Sequence, residues 1–203
     1  MSRLLLVRHG NTELNSTERY WGNTDVGLSQ AGLRQAERLR DRLATERLSA
    51  IYASDLSRAL VTAETIASRH HLEVIICPEL REINFGELEG LTYNEISRLY
   101  PEFTKLWQQR SPVLQCPGGE SLEEFSKRVS KFLGRLENHV PEGEILIVAH
   151  SGSLRSLACH LLGIGAERRW QFRLDLASLS ILDTYLEGAI LSLFNDVSHL
   201  GEL

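Results

Sequence analysis

Short apolar runs alternate with longer amphipathic stretches along the 203 residues of the chain. Residues 4–7 are four apolar side chains in succession, the pattern of a strand covered on both faces. After a polar loop, Ser29 stands where a helix N-cap is expected, with Leu28 and Leu33 at the two positions of a hydrophobic staple. Leu33, Ala36, Leu39 and Leu43 then mark one apolar helix face. Residues 49–53 read as a second strand. Ser54 or Asp55 caps a second helix that turns Ala59, Ala63, Ile66 and Ala67 inward. A third strand at 73–77 stops at Pro78.

The middle of the chain is helical. Thr92 and Glu95 form a capping box ahead of Ile96, Leu99 and Tyr100, and Pro101 restarts a helix carrying Phe103, Leu106 and Trp107. Cys116-Pro117-Gly118-Gly119 is a turn. A second capping box, Ser121 with Glu124, opens a helix whose apolar face is Leu122, Phe125, Val129, Phe132 and Leu136. Strand-then-helix alternation resumes with a strand at 145–149 and a helix at 152–162. Strands at 179–182 and 189–194 close the chain around the turn Glu187-Gly188. The pattern predicts one domain over 1–203, of α/β class with three layers: a mainly parallel sheet with helices on both faces. A helical cap insertion at about 86–140 is expected over one end, and the closing hairpin is expected to supply an antiparallel edge strand.

Composition narrows the function. The chain is 42% hydrophobic and 24% charged, with a formal net charge of −5. That balance argues against nucleic acid or an anionic membrane as principal partner, because either favours a basic face. A small anionic ligand stays compatible, since a few clustered arginines make a positive pocket in an acidic protein. The first apolar run is too short for a signal peptide and no run approaches a membrane span. Cys77, Cys116 and Cys159 form no CxxC pair and read as reduced thiols of a cytoplasmic protein. No metal or cofactor is expected. His70 and His71 are adjacent and point apart, His139, His160 and His199 lack partners at ligand spacing, and Cys116 stands alone.

The residues that matter chemically stand just after the strands. Arg8-His9-Gly10 follows the first, Arg58 lies in the first turn of the helix after the second, Arg81-Glu82 follows the third, and His150 follows the strand at 145–149. Taken singly, each has an ordinary explanation as a solvated or packing residue. Arg58 is less ordinary, because a cation in a helix's first turn opposes the macrodipole unless an anion sits between them. In an open α/β sheet the carboxyl ends of parallel strands share one edge, so four separate segments converge there. Two arginines, two histidines and a carboxylate suit phosphate ester chemistry, which asks mainly for positioning and for stabilisation of equatorial oxygens.

The sequence resembles the histidine phosphatase superfamily, the group that includes cofactor-dependent phosphoglycerate mutases. The likeness spans nearly the whole chain and rests on residues 4–15 around Arg8-His9-Gly10, on 25–32, on 52–59 ending Ser57-Arg58-Ala59, on 80–86 with Arg81-Glu82, on Pro117-Gly118-Gly119-Glu120-Ser121 and on Val148-Ala149-His150. The resemblance implies that His9 attacks phosphorus through one ring nitrogen while a backbone carbonyl holds the other. Arg8, Arg58 and His150 would clamp the phosphoryl oxygens, with Asn15, Trp21, Gly22 and Ser151 completing the substrate pocket. Glu82 would protonate the leaving alkoxide and then deprotonate the hydrolytic water, with burial and the substrate's own charge keeping its proton on near neutrality.

Departures from the mutases favour a phosphatase. Phe85 replaces a tyrosine, and Trp21 precedes Gly22 where mutases carry a smaller hydroxyl residue. Ser151 separates His150 from the glycine that commonly follows directly. The cap offers no clear counterpart to the basic residues by which mutases grip a carboxylate, so few basic side chains are expected to face a ligand. Residues 80–93 and 194–200 and the Pro-Gly-Gly-Glu-Ser block look most like α-ribazole phosphatases of cobalamin nucleotide-loop assembly. The expected substrate is therefore the small-molecule ester α-ribazole 5′-phosphate, handled by a monomer or homodimer. A broad-specificity phosphatase, a phosphoglycerate mutase, a phosphohistidine signalling protein and an inactive binding module stand as alternatives. Tyr93, Phe103, Leu106, Trp107 and Trp21 either line the leaving-group pocket or pack the cap.

Overall fold

The computed structural model describes residues 2–111, 113–136 and 143–201. The unbroken apolar run near the N-terminus becomes β1 (Ser2–Arg8), an inner strand whose Leu4 and Leu6 face one side of the sheet while Leu5 and Val7 face the other. Its neighbour β4 (Gly143–Ala149) runs parallel in the register Leu4 to Ile145 through Val7 to Val148. Beyond β4 lie β2 (Leu48–Ala53) and β3 (Val74–Ile76), both parallel to it, and on the far side of β1 lie β5 (Leu179–Tyr185) and β6 (Gly188–Asp196). The strand order is β3-β2-β4-β1-β5-β6. The closing hairpin supplies the expected antiparallel edge strand: β6 lies at the edge, and inside it, antiparallel to both β6 and β1, lies β5. Its run of buried side chains, Leu179 to Leu182, suits an inner position, while β6 alternates exposed and half-buried residues as an edge should.

Helices cover both faces. On one, Leu39 and Leu43 of α1 (Gln30–Leu43) and Ala63 and Ile66 of α2 (Ser57–Ala67) pack on Leu5, Val7, Ile51, Leu146 and Val148. On the other, Phe125, Val129 and Phe132 of α5 (Leu122–Leu136) join Leu154 and Leu157 of α6 (Ser151–Leu161) over Leu4, Leu6, Tyr52 and Ile147. Each such fully buried side chain contributes about 1.5–3 kcal/mol relative to exposure. Ser29 caps α1 by accepting from the Gly32 amide at 3.1 Å. Leu33 is 40% exposed and not part of the inward stripe. Gly32 takes that place, because a Cβ there would stand 2.0 Å from the Asn11 carbonyl. Neither Ser54 nor Asp55 caps α2. Its N-cap is Leu56, and Asp25 reaches over from the preceding loop to accept from the Ser57 amide at 2.7 Å and hydroxyl at 2.6 Å.

The stretch assigned to the cap is not uniform. It begins with α3 (Tyr93–Leu99) and α4 (Pro101–Gln108), which pack on each other, whereas α5 belongs to the covering layer, with the Phe132 ring edge-on to Tyr52 at 5.2 Å. The expected end of the insertion, Val140, and His139 lie outside the described residues. The capping box Thr92–Glu95 forms as read from sequence, and Glu95 also pairs with Arg19 at 2.9 Å. Backbone bonds Tyr20 N to Leu91 O and Gly90 N to Tyr20 O fasten the 19–21 segment to the cap.

Candidate active site

Ladder bonds continue past the strand ends and bring the chemistry to one edge. His9 N donates to Ala149 O at 3.0 Å and Ser54 N to Val148 O at 3.0 Å. His150, in extended conformation, is itself the N-cap of α6, its amide donating to Ser153 Oγ. The rings of His9 and His150 are consequently 5.1 Å apart, and both are almost wholly buried, at 4% and 1% exposure. His9 Nδ1 lies 2.7 Å from the Gly10 carbonyl. Only a protonated Nδ1 can donate there, so the lone pair of the neutral ring is on Nε2.

On His150, Nε2 meets Ser54 Oγ at 2.9 Å, and Ser54 Oγ already accepts from Leu56 N. The other ring nitrogen, Nδ1, is buried without a partner among the described residues; in the tautomer with its proton there, Nε2 accepts from the Ser54 hydroxyl and Nδ1–H is left to donate. Arg8 Nε is buried in the same condition, while Arg8 Nη1 donates to Leu174 O at 2.7 Å. Two orphaned donors beside a histidine lone pair suit a phosphoryl group, whose oxygens accept hydrogen bonds.

Arg58, 4% exposed, is aimed by carbonyls of the loop before α1: Nη2 donates to Gly22 O at 2.7 Å and Nη1 to Thr24 O at 2.9 Å. Gly22 has no room for a side chain, since a Cβ would lie 2.0 Å from the Ile83 carbonyl. Burial pushes the His9 pKa well below the usual histidine range, and Arg8 and Arg58 push it further. For His150 burial again dominates, followed by His9, Arg58 and Arg8. Both rings are thus held neutral.

Glu82 sits on a loop pinned from two sides. Arg128 donates to the carbonyls of Glu79, Arg81 and Glu82 and forms a two-pronged ion pair with Glu120, while Arg81 makes another with Asp55. The Glu82 carboxylate accepts from Gly152 N at 2.8 Å and Ile83 N at 3.0 Å. It faces a cavity of about 610 Å³ that Arg8, Asn15, Trp21 and Ser151 also line. Asn15 Oδ1 accepts from the Thr12 amide and hydroxyl, which leaves its NH2 end unspent at the cavity wall. His9, Arg58, His150 and Gly22 are not among the lining residues and form the buried end behind it.

The cavity separates the two readings of the cap side chains and corrects one expectation. Trp107 and Trp21 line it, joined by Tyr20 and Phe85, whereas Phe103, Leu106 and Tyr93 do not. Phe103 instead packs edge-on to Trp107 at 5.2 Å, and Tyr20, Phe85 and Trp107 contact one another as an aromatic wall. Nor are basic side chains few: Arg19, Arg110, Arg155 and Arg169 line the cavity with Arg8. Arg155 was legible in principle, standing at i+4 from Ser151 on one face of a helix that begins at the site. Arg169 and Trp170 lie in the 3₁₀ segment Ala166–Gln171, and no pattern in the sequence marks them. Ser54, Asp25, Glu120 and Arg128 act through other residues and carry no chemical signature of their own.

An open α/β sheet with two neutral histidines, two arginines and a glutamate at its carboxyl edge defines a phosphate-handling enzyme. A family model of the histidine phosphatase superfamily (branch 1) matches residues 4–197, and the chain belongs to that superfamily. It is 35% identical over 202 residues to phosphoserine phosphatase 1 of Hydrogenobacter thermophilus, covering 100% of this chain and 96% of the relative. Identity to the adenosylcobalamin/alpha-ribazole phosphatase of Escherichia coli is 34% over 197 residues, 95% of either chain. The crystal structure of a protein described as a putative alpha-ribazole-5′-P phosphatase from Escherichia coli superposes with a TM-score of 0.89 at 33% identity, covering 96% of both chains. The protein is a metal-independent phosphatase of this superfamily, acting on a small-molecule phosphate ester.

Proposed function

We propose that the protein hydrolyses its ester through a phosphohistidine on His9, and the observation that carries this reading is the Nδ1–Gly10 hydrogen bond, which leaves Nε2 as nucleophile. In the first step Nε2 bonds to phosphorus as the ester P–O bond breaks, and Glu82 gives its proton to the departing alkoxide. Arg8, Arg58 and His150 Nδ1–H hold the three equatorial oxygens, where charge spreads in the transition state. In the second step Glu82 takes a proton from water, the hydroxide oxygen bonds to phosphorus, the P–N bond breaks and phosphate leaves with His9 regenerated. Rapid quench with labelled ester is expected to trap an acid-labile, base-stable adduct that His9→Ala lacks. Turnover without that adduct would overturn the mechanism.

For the substrate, the aromatic wall of Tyr20, Phe85 and Trp107 supports α-ribazole 5′-phosphate, whose benzimidazole can lie against it. The likeness to the Escherichia coli relative points the same way. The likeness to a phosphoserine phosphatase favours a small polar ester instead. Side-by-side kcat/KM values for α-ribazole 5′-phosphate and phosphoserine separate the two. Similar values for both, and for unrelated esters, identify a broad-specificity enzyme.

A further inference from the structure

The cavity holds more positive charge than the ester phosphate uses. Five arginines line it, against two glutamates, Glu82 and Glu167. Three of the five are engaged. Arg8 donates to Leu174 O and adjoins the nucleophile, Arg19 is ion-paired to Glu95, and Arg110 lies over the Trp170 ring at 3.2 Å.

Arg155 and Arg169 are different. Arg155 makes no hydrogen bond or ion pair with any described residue, and its Nε is buried without a partner. Among the described residues, the one hydrogen bond of Arg169 runs from Nη1 to Ala166 O, inside its own turn. Neither approaches Glu167 within ion-pair distance, and both Glu82 oxygens already accept backbone amides. Burial lowers the pKa of both guanidiniums, and for Arg169 the charge of Arg155 adds to it. The Glu82 carboxylate acts electrostatically on both, but at a distance and with its oxygens already taken by backbone amides, so two half-buried like charges share one remote counter-charge, an unfavourable arrangement that a bound anion relieves. The position fits the leaving group. Arg155 follows Gly152, whose amide holds Glu82, by three residues on α6, less than one helical turn beyond the proton donor.

We propose that Arg155 and Arg169 form a second anion subsite, and that the preferred substrates are phosphomonoesters whose leaving group carries a carboxylate or a second phosphate. The inference rests on the phosphomonoesterase reading and selects within it, because a neutral leaving group such as α-ribazole leaves both guanidiniums unpaired.

Matched esters test it. Phosphoserine against phosphoethanolamine, and 3-phosphoglycerate against glycerol 3-phosphate, differ in a carboxylate; fructose 1,6-bisphosphate against fructose 6-phosphate differs in a phosphate. The wild-type protein is expected to favour the anionic member of at least one kind of pair by about 10- to 100-fold in kcat/KM, the scale of charge-assisted hydrogen bonds. Arg155→Met and Arg169→Met should each shrink that ratio, chiefly through KM, and the lysine variants should restore part of it. Preference in the carboxylate pairs alone identifies a carboxylate as the ligand, and preference in the bisphosphate pair alone identifies a phosphate. Equal kcat/KM within every pair for the wild type, or a ratio that both methionine variants leave intact, overturns the subsite while the phosphatase stands. Failure to hydrolyse any of these esters or p-nitrophenyl phosphate removes the phosphatase reading itself, and the subsite with it.

Discussion

The buried end of the site and the cavity in front of it are built in contrasting ways. At the buried end His9 and His150 come from the ends of adjacent parallel strands, Arg58 from the helix after a third, and backbone carbonyls or hydroxyls hold their outer atoms. In front, the walls come from segments with no common register: the 15–21 loop, α4, the first turns of α6 and the Ala166–Gln171 segment. Arg19 and Arg110 are exposed there, as is Trp170 at 51%. A reaction shared across a superfamily needs fixed geometry at the phosphoryl group, and ladder hydrogen bonds supply it. Substrate choice needs surfaces that can vary without disturbing that geometry, and loops over the sheet edge provide them.

This contrast can be broken or sharpened by mutation. The largest effect is expected for His9→Ala, a loss on the order of 10⁴–10⁶-fold in kcat for every ester, as when a covalent nucleophile is removed. Turnover that varied with the leaving group in this variant would show that the buried end is not substrate-independent. Glu82→Gln stands at the junction of the two regions and should slow alkyl phosphates by about 10²–10⁴-fold. Phosphorylation by p-nitrophenyl phosphate should suffer less, because its leaving group needs no proton. Equal losses in single-turnover phosphorylation by both esters would remove Glu82 as the acid.

A smaller loss is expected for Gly152→Ala. A Cβ there would lie 2.1 Å from Glu82 Oε1, so the carboxylate must move. Displacement of about 1 Å costs roughly 10²-fold in kcat, with unchanged Tm as the control; full activity would mean that the carboxylate tolerates relocation.

The mildest effect concerns pH and stability. His9 and His150 titrate well below 6.5 in the folded chain, first because they are buried and then because neighbouring cationic groups repel the charged form. As pH falls through about 6.5 the unfolded chain takes up protons that the folded chain refuses, so stability is full above that value and declines below it. Thermal unfolding between pH 7.5 and 5 should show the decline, at roughly 2–4 °C per kcal/mol. His150→Gln should flatten it, and an unchanged slope in that variant would assign the acid sensitivity elsewhere.

Much of the buried end was legible before any coordinates. Short apolar runs and period-3.6 patterning located the strands and most helices, and the rule that parallel strands end on one edge brought Arg8, His9, Arg58, Glu82 and His150 together. The misreadings share a cause. Periodicity places Leu33 in the core because the pattern cannot weigh a leucine against a glycine forced inward by close backbone approach. Local sequence offers Ser54 or Asp55 as the cap of α2 because Asp25, 32 residues from the Ser57 amide it holds, is remote in sequence.

By itself, then, the sequence determined the parts of this protein whose information is local or follows a general topological rule: the strands, the capped helices, the layering, and the residues placed at strand ends. The tertiary structure alone decided what depends on distant segments meeting without a shared register. It chose Ser54 as the partner of His150, Arg128 as the clamp beneath Glu82, and Trp107 over Phe103 as cavity wall. It also brought Arg155 and Arg169 to the same cavity from a helix and from a turn beyond its end. Hydrophobic periodicity records which side of an element faces inward, and it says nothing of which polar groups on two such elements will find themselves within a hydrogen bond or a Coulomb radius of each other.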